Sequence, residues 1–247
     1  ERLAEAGAGV ATSPLWRDYW AAYAKVYHDA WTRPIADWCA AHKVALSGHL
    51  LGENDFGSHV TNYGSARGQL SEFHIPGIDE ISTRWEVDRC EALTLATIAE
   101  FPGRERMVEA FALGPCTMQM DTMRKMVDLC AACGVDRYVM AISPFDLRGN
   151  YFQRNWLSVL SVQSPWFRHY ARPFAEYLAE AAKTARKAQP LGVPWPTDEE
   201  LWEVAGPSPR HSKALQQKTS TFREEAREAI RARMAKPSAI PVAHRTP

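Results

Sequence analysis

The sequence lacks the features that mark several large classes of protein. It has no apolar run near the roughly 20 residues that a membrane-spanning helix needs, no charged-then-apolar leader, no internal repeat and no low-complexity tract. Lys plus Arg equals Asp plus Glu at 29 each, so no excess charge attracts nucleic acid or an anionic membrane. We therefore expect neither nucleic acid nor membrane among its partners, and a neutral ligand fits better.

Cysteine is scarce and follows no recognisable pattern. The five cysteines are an odd number without the spacing of a disulfide framework. Cys130 and Cys133 form a C-x-x-C, but neither a second such pair nor a pair of histidines accompanies it. This arrangement is typical of small buried helix residues, so we assign the cysteines no function.

The apolar content is large enough for a substantial core. Of the 247 residues 46% are hydrophobic and 11% aromatic, and α/β barrels reach this length as a single domain. Segments with strand character alternate with helical ones, which favours a parallel sheet with right-handed crossovers. The predicted fold is therefore α/β, a (β/α)8 TIM-type barrel.

About five strands can be counted, whereas a complete barrel has eight. They are predicted at 44–54, 77–81, 106–112, 138–143 and 191–196. The polar stretch 55–68 is predicted to be a long functional loop. We expect a partial barrel from a longer, multidomain chain, with residues 1–196 as the catalytic barrel segment and 197–247 as a polar, helical and loose C-terminal extension.

The most informative stretch is VALSGHLLGEN at 44–54, an apolar run that ends in a polar cluster. Active sites of α/β barrels are built at the carboxyl ends of such strands, which makes Glu53 the first predicted catalytic residue. His49, Asn54 and Asp55 are predicted to contact substrate. The alternatives are an ordinary carboxylate paired with a nearby base at Glu53 and a hydrogen-bonded core histidine at His49.

Glu109 is the second predicted catalytic residue. It lies between apolar residues of a predicted strand, where a buried charge requires a partner or a ligand. Carboxylates at the tips of separate barrel strands converge on one cavity, and glycoside hydrolysis uses such a pair, one protonated and one ionised. An enzyme of this kind needs both Glu53 and Glu109 to reach one accessible hollow.

Asp146 and Trp166 complete the predicted sugar contacts. Asp146 follows its strand closely enough to face the same rim, although an acid just before Arg148 and Gly149 is better explained by the shaping of a loop. Trp166 could stack on the apolar face of a sugar ring, and its spacing equally suits burial in a helix.

Four segments in this order resemble the catalytic barrels of glycoside hydrolase family 106, the α-L-rhamnosidases: WCAAHKVALSGHLLGEN, HIPGIDEIS, RMVEAFALGPCTMQMDTMRKMVDLCAACGVDRYVM and SPWFRHY. The resemblance covers roughly residues 16–186. It implies inverting cleavage of a glycosidic bond in a plant or bacterial polysaccharide, with Glu53 as general acid and Glu109 as the base that activates water. It also implies calcium near the sugar and a secreted or periplasmic location.

The chain departs from that family at Ile142 and Ser143, where a histidine is expected. The sugar and the calcium therefore stay open. Two other classes also stay open, a non-catalytic carbohydrate-binding barrel and an incomplete segment of a larger enzyme. The separation of the carboxylates discriminates between mechanisms, because an inverting pair stands about 6.5 to 9.5 Å apart and a retaining pair about 5 to 5.5 Å.

Overall fold

The computed structural model describes residues 14–80, 86–111, 119–140 and 165–235. The first helix runs through one π-helical turn (His28–Thr32) directly into the second. The elements up to residue 99 are α1 (Pro14–Tyr27), α2 (Arg33–Ala41), β1 (Ser47–Gly48), α3 (Phe56–Tyr63), α4 (Ala66–Leu70), β2 (Ile75–Glu80) and α5 (Ala92–Ala99).

Helices predominate in the second half of the chain as well. Its elements are β3 (Met107–Ala110), α6 (Met120–Ala132), β4 (Arg137–Met140), α7 (Pro165–Ala185), α8 (Asp198–Ala205), a 3-10 turn (Pro209–His211) and α9 (Lys213–Met234). None of the helices in these described ranges is long and apolar enough to cross a membrane.

The described strands form one parallel sheet with the order β1-β2-β3-β4. The predicted (β/α)8 barrel is therefore wrong: four strands line up in chain order as in part of a barrel wall, whereas a barrel of this type needs eight. Residues 191–196, predicted to be a strand, are irregular. Pro194 and Pro196 have no N–H to donate to a neighbouring strand, which disfavours pairing there.

The loop predicted at 55–68 is also wrong, because this segment contains α3 and the first residues of α4. Asp55 caps the first helix by accepting a hydrogen bond from the Ser58 N–H at 2.7 Å, and Ser65 caps the second by accepting from the Gly68 N–H at 2.9 Å. Most of α3 is buried, so its sequence shows no clear polar face.

The two faces of the sheet differ sharply in character. Ile78 and Val108 are in register and fully buried, and they belong to the core that the helices build. Because side chains alternate along a strand, the next residues, Asp79 and Glu109, lie on the opposite face. Val139 is in register with Glu109 and is half exposed. The sheet thus carries its carboxylates on the more open of its two faces.

The helices after residue 197 pack on the same core as the sheet. Leu215, Phe222 and Ile230 of α9 are buried within it. The indole N–H of Trp20 in α1 donates to the carbonyl of Gly206 at 2.9 Å, which ties the end of α8 to the first helix.

Candidate functional site

Four titratable side chains meet at the carboxyl ends of β1, β2 and β3. His49 directly follows β1, and Glu53 comes four residues later. Asp79 in β2 is in register with Glu109 in β3. We term these four residues the His49 cluster. The structure therefore brings the two predicted catalytic glutamates and the predicted ligand His49 to one edge of the sheet, where parallel sheets place their sites.

The carboxylate of Glu53 joins the ends of two strands. One oxygen accepts a hydrogen bond from the Leu50 N–H at 2.7 Å, and the other accepts from the Asp79 N–H at 2.8 Å. These bonds replace the backbone ladder, which stops at Gly48. Burial raises the pKa of Glu53, while the nearby His49 and the two N–H groups act in the opposite direction.

The imidazole of His49 stands between the two glutamates. Its Nε2 is 2.9 Å from Oε2 of Glu109, and its Nδ1 is 3.6 Å from Oε1 of Glu53, just beyond hydrogen-bond distance. The nearby Glu53 carboxylate, together with Asp79 and Glu109, raises the pKa of His49 to about 9 even though partial burial opposes this shift. At neutral pH the ring is therefore an imidazolium that donates to Glu109.

Solvent reaches the members of this cluster unequally. The side chain of Glu109 is 31% exposed and that of His49 is 26% exposed, whereas that of Glu53 is only 6% exposed. A ligand that approaches the open face of the sheet can touch Glu109 and His49 directly. Glu53 lies behind them.

The loop that carries Glu53 is hydrogen-bonded to His59. Its Nε2 donates to the Glu53 carbonyl at 2.9 Å, and the ring is buried. Burial lowers the pKa of His59, which keeps this imidazole neutral near pH 7. Glu53 is therefore held at its main chain as well as at its carboxylate.

Asn54 and Asp55 serve the helices that surround the cluster. The carbonyl of Asn54 accepts a hydrogen bond from the guanidinium of Arg223 in α9, and Asp55 caps α3. Asp55 also lines a polar cleft of about 260 Å³ with Arg210 and Arg223, between α3 and α9. Both predicted substrate contacts thus have structural partners of their own.

The other two predicted sugar contacts cannot be placed against the cluster. Asp146 lies outside the described residues. Trp166 is the second residue of α7, and its side chain is likewise outside the part of the chain that the structure describes. Both assignments stay predictions.

Asp79 is the member of the cluster that the sequence interpretation missed. The sequence predicts only a strand at 77–81 and assigns no role to its acids. The available signal was its alternation, since Ile78 must face the core and Asp79 must then face the other side. Its closeness to Glu109 depends on the register of two strands, which the sequence does not state.

Calcium was expected from the family resemblance. Among the described residues, no group of three or more His, Cys, Asp or Glu side chains is placed to hold a metal ion. A calcium site needs six to eight oxygen ligands, and the space between Glu53 and Glu109 holds an imidazolium instead. The His49 cluster therefore does not fit calcium.

No protein-family model, curated protein or solved structure matches this chain. The resemblance to glycoside hydrolase family 106 stays a prediction that rests on the quoted segments.

Proposed function

We propose that the chain is a glycoside hydrolase in which Glu109 is the carboxylate that contacts the scissile sugar. The observation that carries the proposal is the position of Glu109, whose side chain is 31% exposed at the carboxyl end of a parallel strand and which is in register with a second acid, Asp79. Glycosidic bonds are typically cleaved with an ionised carboxylate that either attacks the anomeric carbon or activates the attacking water. An α-L-rhamnoside is the first substrate to test, because the quoted segments resemble α-L-rhamnosidases.

The mechanism expected from the sequence requires Glu53 and Glu109 to reach one accessible hollow, and the 6% exposed side chain of Glu53 does not meet that requirement. The role of Glu53 in this proposal is therefore a different one. Its two oxygens both accept backbone N–H groups, and the ring of His49 occupies the space towards Glu109. A sugar has no room between these two glutamates. Glu53 is therefore a positioning residue, which holds the ends of β1 and β2 together and helps to keep His49 protonated.

His49 supports the reaction through its charge. An imidazolium that donates to Oε2 of Glu109 fixes the orientation of that carboxylate. It also places a positive charge next to the sugar hydroxyls. We assign His49 to orientation of Glu109 and to contact with the substrate, in agreement with its predicted place among the sugar-binding residues.

The test is the release of nitrophenolate from a panel of 4-nitrophenyl glycosides, beginning with the α-L-rhamnoside. Glu109→Gln should lower kcat/KM by at least about 100-fold, because the amide can neither attack nor activate water. Glu105→Gln is the matched control. Glu105 precedes the same strand at its opposite end and pairs with Arg137, so its loss should leave the rate unchanged.

Two outcomes would count against the enzyme. Equal rates for the wild-type protein and Glu109→Gln would show that Glu109 does not contact the reacting bond. Binding of oligosaccharide without any turnover across the panel would favour a carbohydrate-binding module.

A further inference from the structure

We propose that the polar cleft between α3 and α9 is a second ligand site, which binds a sugar acid through the guanidinium groups of Arg210 and Arg223. We term it the Arg223 cleft. No residue of the His49 cluster lines it. The inference therefore stands apart from the proposed function, and its test needs no turnover.

The two arginines of the cleft have no acidic partner. Arg210 donates to Oδ1 of Asn62 at 2.6 Å, and Arg223 donates to the carbonyl of Asn54. In the described part of the chain these neutral oxygens are the hydrogen-bond acceptors of the two guanidinium groups, and neither group forms an ion pair. Arg210 is exposed and Arg223 is partly exposed, so a ligand from solvent can reach both. Guanidinium groups stay charged in proteins and match the geometry of a carboxylate, which makes an anionic group the natural partner.

Asp55 restricts which anion can bind. It lines the same cleft, and with the two arginines it gives the cleft a formal charge of +1. A carboxylate carries one negative charge and balances this value, whereas a phosphate monoester carries about −1.5 to −2 at pH 7 and would be repelled by Asp55. An aspartate oxygen also accepts hydrogen bonds from hydroxyl groups. A ligand with one carboxylate and several hydroxyl groups satisfies both the arginines and Asp55.

The walls of the cleft are fixed to each other without a ligand. Thr219 of α9 is buried, and its Oγ1 accepts from the Phe56 N–H of α3 at 3.1 Å. Nε2 of Gln216 donates to the carbonyl of Arg210 at 3.1 Å. A Cβ on Gly57 would lie 2.9 Å from the Cα of Arg210, so the 3-10 turn packs directly on the start of α3. A site with walls held in this way loses little conformational freedom on binding.

The volume of the cleft suits a single sugar unit. It is about 260 Å³, slightly less than the roughly 300 to 1,000 Å³ of pockets that hold drug-sized ligands. The side chains of Gln216 and Thr219 add an amide and a hydroxyl group to the polar lining, and both groups can bond to sugar hydroxyls. D-glucuronate combines one carboxylate with ring hydroxyls and is therefore the first ligand to test.

Isothermal titration calorimetry with the wild-type protein tests the site. D-glucuronate should bind at least about tenfold more tightly than D-glucose, because glucose has no charge to pair with the guanidinium groups. D-glucose 6-phosphate should bind less tightly than D-glucuronate, because Asp55 opposes its additional charge. The proposal is overturned if D-glucuronate does not bind, or if glucose binds equally well. Equal affinity for inorganic sulfate would also overturn it, since the sugar ring would then contribute nothing.

Arg210→Gln and Arg223→Gln isolate the guanidinium groups. Each change should weaken the binding of D-glucuronate by about 10- to 100-fold, the usual size of a lost hydrogen bond to a charged group. Arg231→Gln is the matched control, because Arg231 lies on α9 outside the cleft and pairs with Asp88. It should bind D-glucuronate as the wild-type protein does. Unchanged affinity in both cleft variants would show that the ligand binds elsewhere.

Asp55→Asn tests the preference for a carboxylate over a phosphate. Asparagine caps helices about as well as aspartate, so α3 should keep its first turn. With the opposing charge removed, the affinity for D-glucose 6-phosphate should rise at least about fivefold relative to that for D-glucuronate. An unchanged ratio would mean that Asp55 does not face the bound anion, and the assignment of a sugar acid would fall. Hydrolysis of the nitrophenyl glycosides, or its absence, bears on none of these outcomes.

Discussion

At the scale of the residue, Glu53 is buried and both oxygens of its carboxylate accept hydrogen bonds. Each oxygen accepts one main-chain N–H, and the side chain is 6% exposed. Such a group is costly to alter, because removal of one acceptor leaves a buried donor unsatisfied. The acid that the sequence marked as the catalytic one is, in this geometry, the acid on which the shape of the site depends.

Glu53→Gln should therefore destabilise the protein. The new amide group places an N–H donor against the N–H of Leu50 or Asp79, so we expect the free energy of unfolding to fall by about 1 to 3 kcal/mol. Urea unfolding followed by circular dichroism measures this loss. Glu225→Gln, the same change at an exposed site on α9, should alter the stability by less than about 0.5 kcal/mol. Equal stability of the two variants would contradict the bridging role of Glu53.

His49 predicts a specific pH dependence of stability. Its folded pKa of about 9 lies above the ordinary value of 6.5, so the stabilisation is fully present below pH 6.5 and is lost as the pH rises through 9. The wild-type protein should exceed His49→Gln by about 2 kcal/mol at pH 6 and by much less at pH 9.5.

Unfolding curves at a series of pH values measure this difference. His169→Gln, at an exposed position on α7, is the control and should track the wild-type protein at every pH. If the difference in stability between the wild-type protein and His49→Gln stays constant from pH 6 to 9.5, a charged imidazole between the glutamates is excluded.

The members of the site differ in how far the sequence could predict them. His49, Glu53 and Glu109 could be chosen from local patterns, because each follows or interrupts an apolar run. Their mutual contacts could not, since the bond from Asp79 to Glu53 spans 26 residues and that from His49 to Glu109 spans 60. The local sequence indicates which side chains are candidates for the site, whereas the strand register determines which of them become neighbours.

At the scale of the element, close contact between α1 and the end of α3 depends on one glycine. Gly64 has φ of 69°, and a Cβ there would lie 2.6 Å from the Cα of Ala24. Gly103 has a similar φ of 78° with nothing within 4 Å of its Cβ position. An alanine at Gly103 therefore tests the cost of the left-handed backbone alone, whereas an alanine at Gly64 adds a steric clash with α1.

Gly103→Ala should cost about 1 to 2 kcal/mol, the price of the left-handed conformation alone. Gly64→Ala should cost at least about 2 kcal/mol more, because the backbone of α1 must move. Thermal unfolding of the two variants measures the difference. Similar losses at both positions would show that α1 does not pack on α3 as closely as described.

The elements themselves were predictable to different degrees. The strands at 77–81 and 106–112 were placed within two residues of β2 and β3, because apolar runs with glycine boundaries mark buried parallel strands. The first strand was predicted to be much longer than Ser47–Gly48, since apolar residues such as Leu50 are buried without belonging to the ladder. Hydrophobicity indicates burial and does not guarantee pairing.

At the scale of the whole molecule, one core unites the sheet with the helices at both ends of the described chain. The ring of Phe222 in α9 lies 5.3 Å from that of Phe56 in α3 and 4.8 Å from that of Trp195. The sequence suggested a separate, loose extension from residue 197, because polar residues dominate α9. A narrow apolar stripe on a polar helix is nevertheless sufficient to bury one side of it.

Phe222→Ala should lower the stability of the entire protein by about 3 to 5 kcal/mol. Tryptophan fluorescence and far-UV circular dichroism should report one coincident transition, displaced to lower denaturant. Phe167→Ala, at a site that is 37% exposed on α7, should cost less than about 1 kcal/mol. Two separate transitions, with only the smaller one shifted, would support an independent C-terminal extension.

The bridge that Glu53 makes between Leu50 and Asp79 constrains how this architecture can vary. Main-chain hydrogen bonds between strands tolerate many different side chains, but here the side chain of Glu53 replaces the missing backbone pairing. A protein of the same plan with an apolar residue at this position would need a longer first strand to keep its rim closed. Lengthening that strand would in turn move His49 out of its present turn. The length of the first strand and the position of the imidazole can therefore change only together.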